Sequence, residues 1–202
     1  GLLFTSVTNS GFITGLYVIV VPILGLFLGH KTGLGTWLGC VLAVVGMCLL
    51  SVGDNFHVAP GDWLQLIGAF VWGGHVILVG VFAGRHDPVR LAFLQFVTCS
   101  VVSLILALIF EPIALDAILA ATPAVAYGGV VAVGVGYTLQ VIAQKHAIAS
   151  HAAIILSLEA VFAAIAGAWF LGEALQLRGY VGCALMLAGM LLAQLWPRKT
   201  HS

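Results

Sequence analysis

The sequence predicts an all-α, polytopic membrane protein built from inverted five-helix repeats, with ten helices in the full protein and seven in this chain. Composition, apolar run length and an internal repeat predict it. Of the 202 residues 62% are hydrophobic and 7% charged, and the mean hydropathy is +1.18; so few charges cannot cover a soluble surface. Seven Lys plus Arg balance seven Asp plus Glu, which leaves no argument for a nucleic-acid partner. Apolar stretches run at about 8 to 29, 34 to 52, 62 to 83, 89 to 110, 123 to 144, 149 to 171 and 177 to 196. At roughly 1.5 Å of rise per residue they match a hydrocarbon core of about 30 Å. Gly33, Pro60-Gly61, Asp87-Pro88, Glu111-Pro112, Pro123 and Pro197 supply the starts and stops.

Sliding the chain on itself by about 143 residues sets Phe27-Leu28-Gly29 on Phe170-Leu171-Gly172, Leu34 on Leu177, Gly39-Cys40 on Gly182-Cys183, and Gly46-Met47 on Gly189-Met190. The first two helices thus read as a copy of the last two. An odd number of helices per repeat turns the units upside down relative to each other, an arrangement associated with transporters. The predicted organisation is 1–52 as the last two helices of a first repeat, 53–61 as the connection, 62–196 as a complete second repeat, and 197–202 as a cytoplasmic tail. By the same arithmetic about three helices, or about 80 residues, are expected upstream of Gly1. Gly1 opens on an apolar run without a basic segment, so no signal peptide is read.

Alternate loops fall on opposite membrane faces. One face receives Lys31, Arg85, Arg90, Lys145, Arg198 and Lys199, and the other only Arg178 together with Asp54, Asp62, Glu111, Asp116 and Glu173. Lys- and Arg-rich loops stay in the cytoplasm, so the C-terminus is placed there. Cys40, Cys48, Cys99 and Cys183 lie in apolar runs without metal-ligand spacing and read as small buried hydrophobes.

In the first helix Asn9, Thr14 and Tyr17 are polar, and Pro22 frees a carbonyl near mid-depth, as a gate or as a tolerated kink. Gly11 with Gly15, Gly25 with Gly29, Gly35 with Gly39 and Gly80 with Gly84 have the four-residue spacing that lets helices approach. Trp72 and His75 share a face of the third helix, where they either line a cavity or satisfy a neighbouring helix. The fourth helix carries Gln95, Thr98, Ser100 and Ser103, of which Gln95 is the candidate contact. In the fifth, Tyr137, Gln140 and Gln144 form a polar stripe that should point inward, and Gly128, Ala132 and Gly136 a smooth packing face. Glu159 is the central candidate. A carboxylate at mid-depth costs about 2.5–3.5 kcal/mol even on mild insertion scales, so it should face a bundle interior or a wet cavity. Ala152, Ile155, Ala163 and Ala166 on its face leave room, and a carboxyl that trades solvent for protein can take up and release a proton.

Tyr137-Thr-Leu-Gln-Val-Ile-Ala-Gln-Lys-His146, Leu158-Glu-Ala-Val-Phe-Ala163, Leu171-Gly-Glu-Ala-Leu175 and Gly179-Tyr-Val-Gly-Cys-Ala-Leu-Met-Leu-Ala-Gly189 together resemble the EamA family of the drug/metabolite transporter superfamily, over nearly the whole chain. The resemblance implies ten helices in two inverted units that move small organic solutes, often outward, through a central cavity. The family's Glu-Pro-Val-Phe stands here as Glu159-Ala160-Val161-Phe162, and loss of the Pro argues against a helix break beside Glu159. His30 stands where the first repeat would match Glu173, and Glu173 is read as a structural partner of Arg178.

The leading expectation is therefore a secondary transporter, and not an enzyme. It would export small organic metabolites such as amino acids across a bacterial inner membrane by alternating access, with no cofactor and no metal. Its expected solute contacts are Tyr17, Trp72, His75, Gln95, Tyr137, Gln140 and Glu159, with His75 and Glu159 as proton-coupling groups. Its partners are a small organic solute and the bilayer, and a homodimer is compatible with the sequence. No Walker-type loop argues for ATP. The competing reading is a membrane-embedded enzyme with His75 and Glu159 as an acid–base or metal pair, which lacks any His-Glu-x-x-His or Gly-x-Ser-x-Gly context. A seven-helix receptor is a third reading, in which the helix count would be accidental.

Overall fold

The computed structural model describes residues 2–5, 7–29, 32–51, 59–111, 114–170 and 176–196. Expectations placed on His30, Lys31, Asp54, Pro112, the 171–175 motif with Glu173, and 197–202 lie outside the described residues, as does most of the 53–61 connection. Among the described residues the chain is helical without a strand: α1 (Val7–Gly15), α2 (Tyr17–Phe27), α3 (Leu34–Ser51), α4 (Pro60–Ala83), α5 (Pro88–Phe110), α6 (Leu115–Ala126), a π-helical segment (Tyr127–Tyr137), α7 (Thr138–Gln144), α8 (Ala149–Leu156), α9 (Glu159–Phe170) and α10 (Leu177–Leu195). Among the described residues six segments are long and apolar enough to cross a membrane: Ser10–Phe27, Pro60–Ala83, Pro88–Phe110, Ile118–Gln144, Ala149–Ala166 and Leu177–Leu195; Leu34–Leu50 is apolar but shorter. This is an all-α polytopic membrane fold.

Local chemistry sets several helix starts. Asp87 caps α5: its carboxylate accepts the Arg90 N–H at 2.8 Å, and Pro88 at the first helical position loses no hydrogen bond. At α4, Pro60 opens the helix and Asp62 reaches back to accept the Ala59 N–H at 2.8 Å, the return arm of a capping box. Pro123 behaves differently from the expectation. It lies inside α6, which begins at Leu115, and the helix continues through it into the π segment. From Tyr127 to Tyr137 the Gly-rich run takes up an i→i+5 pattern.

The first span is interrupted at Leu16 and not at Pro22, which stays within α2. There the chain tightens to an i→i−3 bond, Leu16 N–H to the Ile13 carbonyl at 3.2 Å. The carbonyl that Pro22 leaves without its i→i−4 donor belongs to Val18. It accepts the Cys40 thiol of α3 at 3.2 Å.

Contacts divide the chain into two units, Gly1–Leu78 with Ile148–Ser202, and Val79–Ala147. In the first unit α3 and α10 form the tightest seam. A Cβ added to Gly39 would stand 2.6 Å from the Gly189 carbonyl oxygen, and one added to Gly46 would stand 2.5 Å from that of Gly182. Only glycine permits backbones this close. The helices run antiparallel, since the earlier glycine of one meets the later glycine of the other. The seam uses a seven-residue glycine spacing. Of the four-residue pairs, Gly35 and Gly39 both abut a neighbour, Trp196 and Gly189, whereas Gly11, Gly29 and Gly80 meet nothing within 4 Å. Beside the seam, one cluster holds Val18, Cys40, Ala43 and Ala193 with Met190, and another holds Val161, Met186 and Met47 with Cys183 and Leu50. The offset of about 143 residues relates these residues of the two clusters pairwise, whereas Ile154, Ile19 and Val44 of the first have no counterpart in the second.

In the second unit Val79, Ala83, Ala92 and Val141 pack together with Leu91 and Phe96. The π segment buries none of its residues, and nothing lies within 4 Å of a Cβ placed on Gly128. The expected smooth face of Gly128, Ala132 and Gly136 therefore makes no close packing within this unit. Its π geometry also breaks the 3.6-residue spacing on which that expectation relied.

Candidate functional site

The chain at Glu159 is broken even though the Pro is missing. α8 ends at Leu156 and α9 begins at Glu159. Across the gap the pairing shifts to i→i−3, with Leu158 N–H on the Ile155 carbonyl at 3.1 Å and Val161 N–H on that of Leu158 at 2.9 Å. The buried Ser157 hydroxyl donates to the Ile154 carbonyl at 2.7 Å. Such back-bonding bends helices, so a serine supplies here part of what the missing Pro would have done. Loss of the Pro speaks against an interruption beside Glu159, and the helix is interrupted there all the same. The two interruptions, at Leu16 and at Ser157-Leu158, fall within two residues of matched positions of the internal repeat, whose offset relates Leu16 to Glu159.

Glu159 occupies the first turn of α9 and is exposed. The Ala160, Val161 and Phe162 N–H groups that follow it are already bonded, to the Ser157 carbonyl at 3.3 Å and to that of Leu158 at 2.9 and 3.1 Å. The residues just before and after it are anchored: Leu158 and Val161 are buried with Met47 and Met186. Its backbone position is thus held by apolar packing while the carboxylate itself stays accessible.

Tyr17, Val21, Val76, Ile77, Ala149 and Ala153 form one buried cluster, against which Trp72 and Leu156 pack. His75 lies one turn beyond Trp72 and stacks on it, with ring centroids 5.1 Å apart and planes 29° from parallel. The structure therefore brings Tyr17, Trp72 and His75 together where α2, α4 and α8 meet. Tyr17 is buried, Trp72 and His75 half-buried.

The other candidates belong to the second unit. Gln95 is half-buried on α5. Of the stripe, Tyr137 ends the π segment and is 37% exposed, and Gln144 is 2% exposed. The Gln140 amide donates to the Gln144 side-chain oxygen at 3.3 Å. The inward turn expected of the stripe holds for Gln144 and fades toward Tyr137.

Three polar contacts have no signal in the sequence spacing. Thr36 of α3 meets His151 Nε2 of α8 at 3.3 Å, a pairing of residues too far apart in sequence for any spacing to reveal. Asp62 and Gln65 of α4 bond to Thr5 and to Ser10 of α1. Here the position of Asp62, two residues after Pro60, was a usable capping signal. Among the described residues no group of three or more His, Cys, Asp or Glu could hold a metal ion.

Comparison with known proteins gives these features a context. Residues 59–195 match the EamA-like transporter family. An uncharacterized transporter of Archaeoglobus fulgidus is 31% identical over 96% of this chain and 63% of its own length, so the chain spans under two thirds of that relative. The uncharacterized transporter YwfM of Bacillus subtilis is 29% identical over 98% of this chain and 70% of its own. A solved crystal structure superposes with a TM-score of 0.81 at 19% identity, over all of this chain and 71% of that one, a likeness of fold. The interrupted spans thus sit in a sequence whose relatives are named as transporters and not as enzymes, and the chain, an integral membrane protein, belongs to the EamA-like transporter family of the drug/metabolite transporter superfamily.

Proposed function

We propose that the protein is a secondary-active exporter of small organic metabolites such as amino acids, working by alternating access with its C-terminus in the cytoplasm. The observation that carries this reading is the break at Ser157-Leu158, which presents Glu159 at the start of a half-helix within the span Ala149–Ala166. Interrupted helices whose ends face the membrane interior are the usual way that transporters build a solute site. On this reading Glu159 and His75 handle the coupling proton, and Tyr17 and Trp72 offer the flat apolar and hydroxyl contacts for an organic solute. Gln95, Tyr137 and Gln140 are the candidate contacts on the second unit.

The internal repeat supports the same reading. Residues 1–52 and 62–196 are assigned to opposite repeats, joined by 53–61 and followed by the tail 197–202. The antiparallel glycine seam between α3 and α10 is what two helices related by inversion would make.

The test is flux from proteoliposomes carrying the whole protein, with and without a pH gradient, against a panel of amino acids and related metabolites. Glu159→Gln is expected to lower flux at least about 100-fold, or to remove its dependence on the gradient, at unchanged protein level. Unimpaired, still gradient-driven flux in that variant would overturn the role of Glu159, and absence of flux for every solute class would overturn the exporter itself.

A further inference from the structure

The Thr5 hydroxyl donates to an Asp62 carboxylate oxygen, and the other oxygen of Asp62 accepts the Ala59 N–H at 2.8 Å. One turn further along α4 the Gln65 amide donates to the Ser10 hydroxyl at 2.6 Å. Asp62 is 6% exposed and Ser10 8%. Two consecutive turns of α4 are therefore tied by polar bonds to the chain at and just before α1. Deeper along the same helix the contact changes character. A Cβ on Gly73 would touch Val20 at 3.0 Å, and Tyr17 and Val21 pack with Val76 and Ile77. α2 is thus held to α4 by apolar packing, whereas α1 is tied to α4 by side-chain hydrogen bonds, rests its apolar side on α3 through Phe12 and Gly15 against Met47, and is separated from α2 by the interruption at Leu16.

These two halves respond differently to water. Apolar packing has no substitute in solvent, but a hydroxyl or carboxylate released at the end of a span exchanges its partner for water at small net cost. From this we infer that Thr5, Asp62, Ser10 and Gln65 form a latch that closes one mouth of the transport route. In this account α1 swings about Leu16 away from α4 while α2 keeps its seat, and the movement uncovers the level of Tyr17, Trp72 and His75. Asp62 positions the gate and does not touch the solute. The inference rests on the transporter reading above.

The experiment measures gate opening without needing a solute. Ile13 is buried one turn from Ser10 on the same face of α1. Ile13→Cys is introduced into the whole protein, with Cys48, Cys99 and Cys183 changed to Ala and Cys40 to Ser, and its labelling by a membrane-impermeant maleimide is followed separately from each face of sealed vesicles. Thr5→Val and Ser10→Ala each remove one hydroxyl with little change of shape. Together they are expected to raise the labelling rate about tenfold from one face only, while Asp62→Asn, which keeps an acceptor for Thr5, gives a smaller rise. An unchanged rate in the double variant, or an equal rise from both faces, would overturn the latch. Flux is measured on the same vesicles. A one-sided rise in labelling without flux of any solute supports the latch and counts against the exporter, whereas flux with unchanged labelling counts against the latch alone.

Discussion

Cys40 shows how one atom can settle a question that sequence leaves open. Pro22 removes the N–H that would reach the Val18 carbonyl, and the sequence says so; where that carbonyl turns instead depends on α3 lying alongside. The thiol of Cys40, fully buried, is the group that answers it. Cys40→Ala should therefore cost about 1–3 kcal/mol by leaving a buried carbonyl without this donor, and Cys40→Ser, which keeps an O–H there, should cost distinctly less. Thermal melting of the purified protein checks the order, and equal losses would show that only volume matters. Glu159 was legible as a candidate because a carboxylate inside an apolar run is rare and expensive. Trp72 and His75 were legible from their three-residue spacing. The Asp62 and Gln65 contacts were not, because their partners Thr5 and Ser10 lie 57 and 55 residues away and ordinary hydroxyls carry no signal of their own.

At the level of helices, the apolar runs located the spans because length and hydropathy are read directly against membrane thickness. Their interruptions were harder to see. Pro22 and Pro123 sit inside helices, while the breaks occur at Leu16 and at Ser157-Leu158; proline removes a hydrogen bond, but neighbouring helices decide whether the chain yields at that point. The glycine seam was half legible. Gly39, Gly46, Gly182 and Gly189 stood out as repeat members, but which faced which followed only from the antiparallel packing. Gly46→Ala and Gly182→Ala should each destabilise the protein by about 1–3 kcal/mol, because the new methyl meets backbone at 2.5 Å. Gly68→Ala, with nothing within 4 Å of its added carbon, should be neutral or slightly stabilising. Melting temperatures of the three variants decide this, and indistinguishable values would remove the seam from the account.

For the molecule as a whole, the proposed orientation rests on the distribution of Lys and Arg, since loops rich in these residues stay in the cytoplasm. Arg85 follows α4 and Glu111 follows α5, so one span separates them. In intact cells a cysteine at Glu111 should react with an impermeant maleimide and one at Arg85 only after permeabilisation; the reverse pattern would invert the assignment, and equal reactivity would remove a span. The glycine seam has a final consequence for how this sequence can drift. Where a bulky side chain meets another side chain, a gain on one helix can be offset by trimming the other, and second-site suppressors arise. Between Gly39 and Gly189, or Gly46 and Gly182, the obstacle is a carbonyl oxygen and the opposing residue is already the smallest available. A mutation at any of these four positions therefore has no suppressor at the residue it faces.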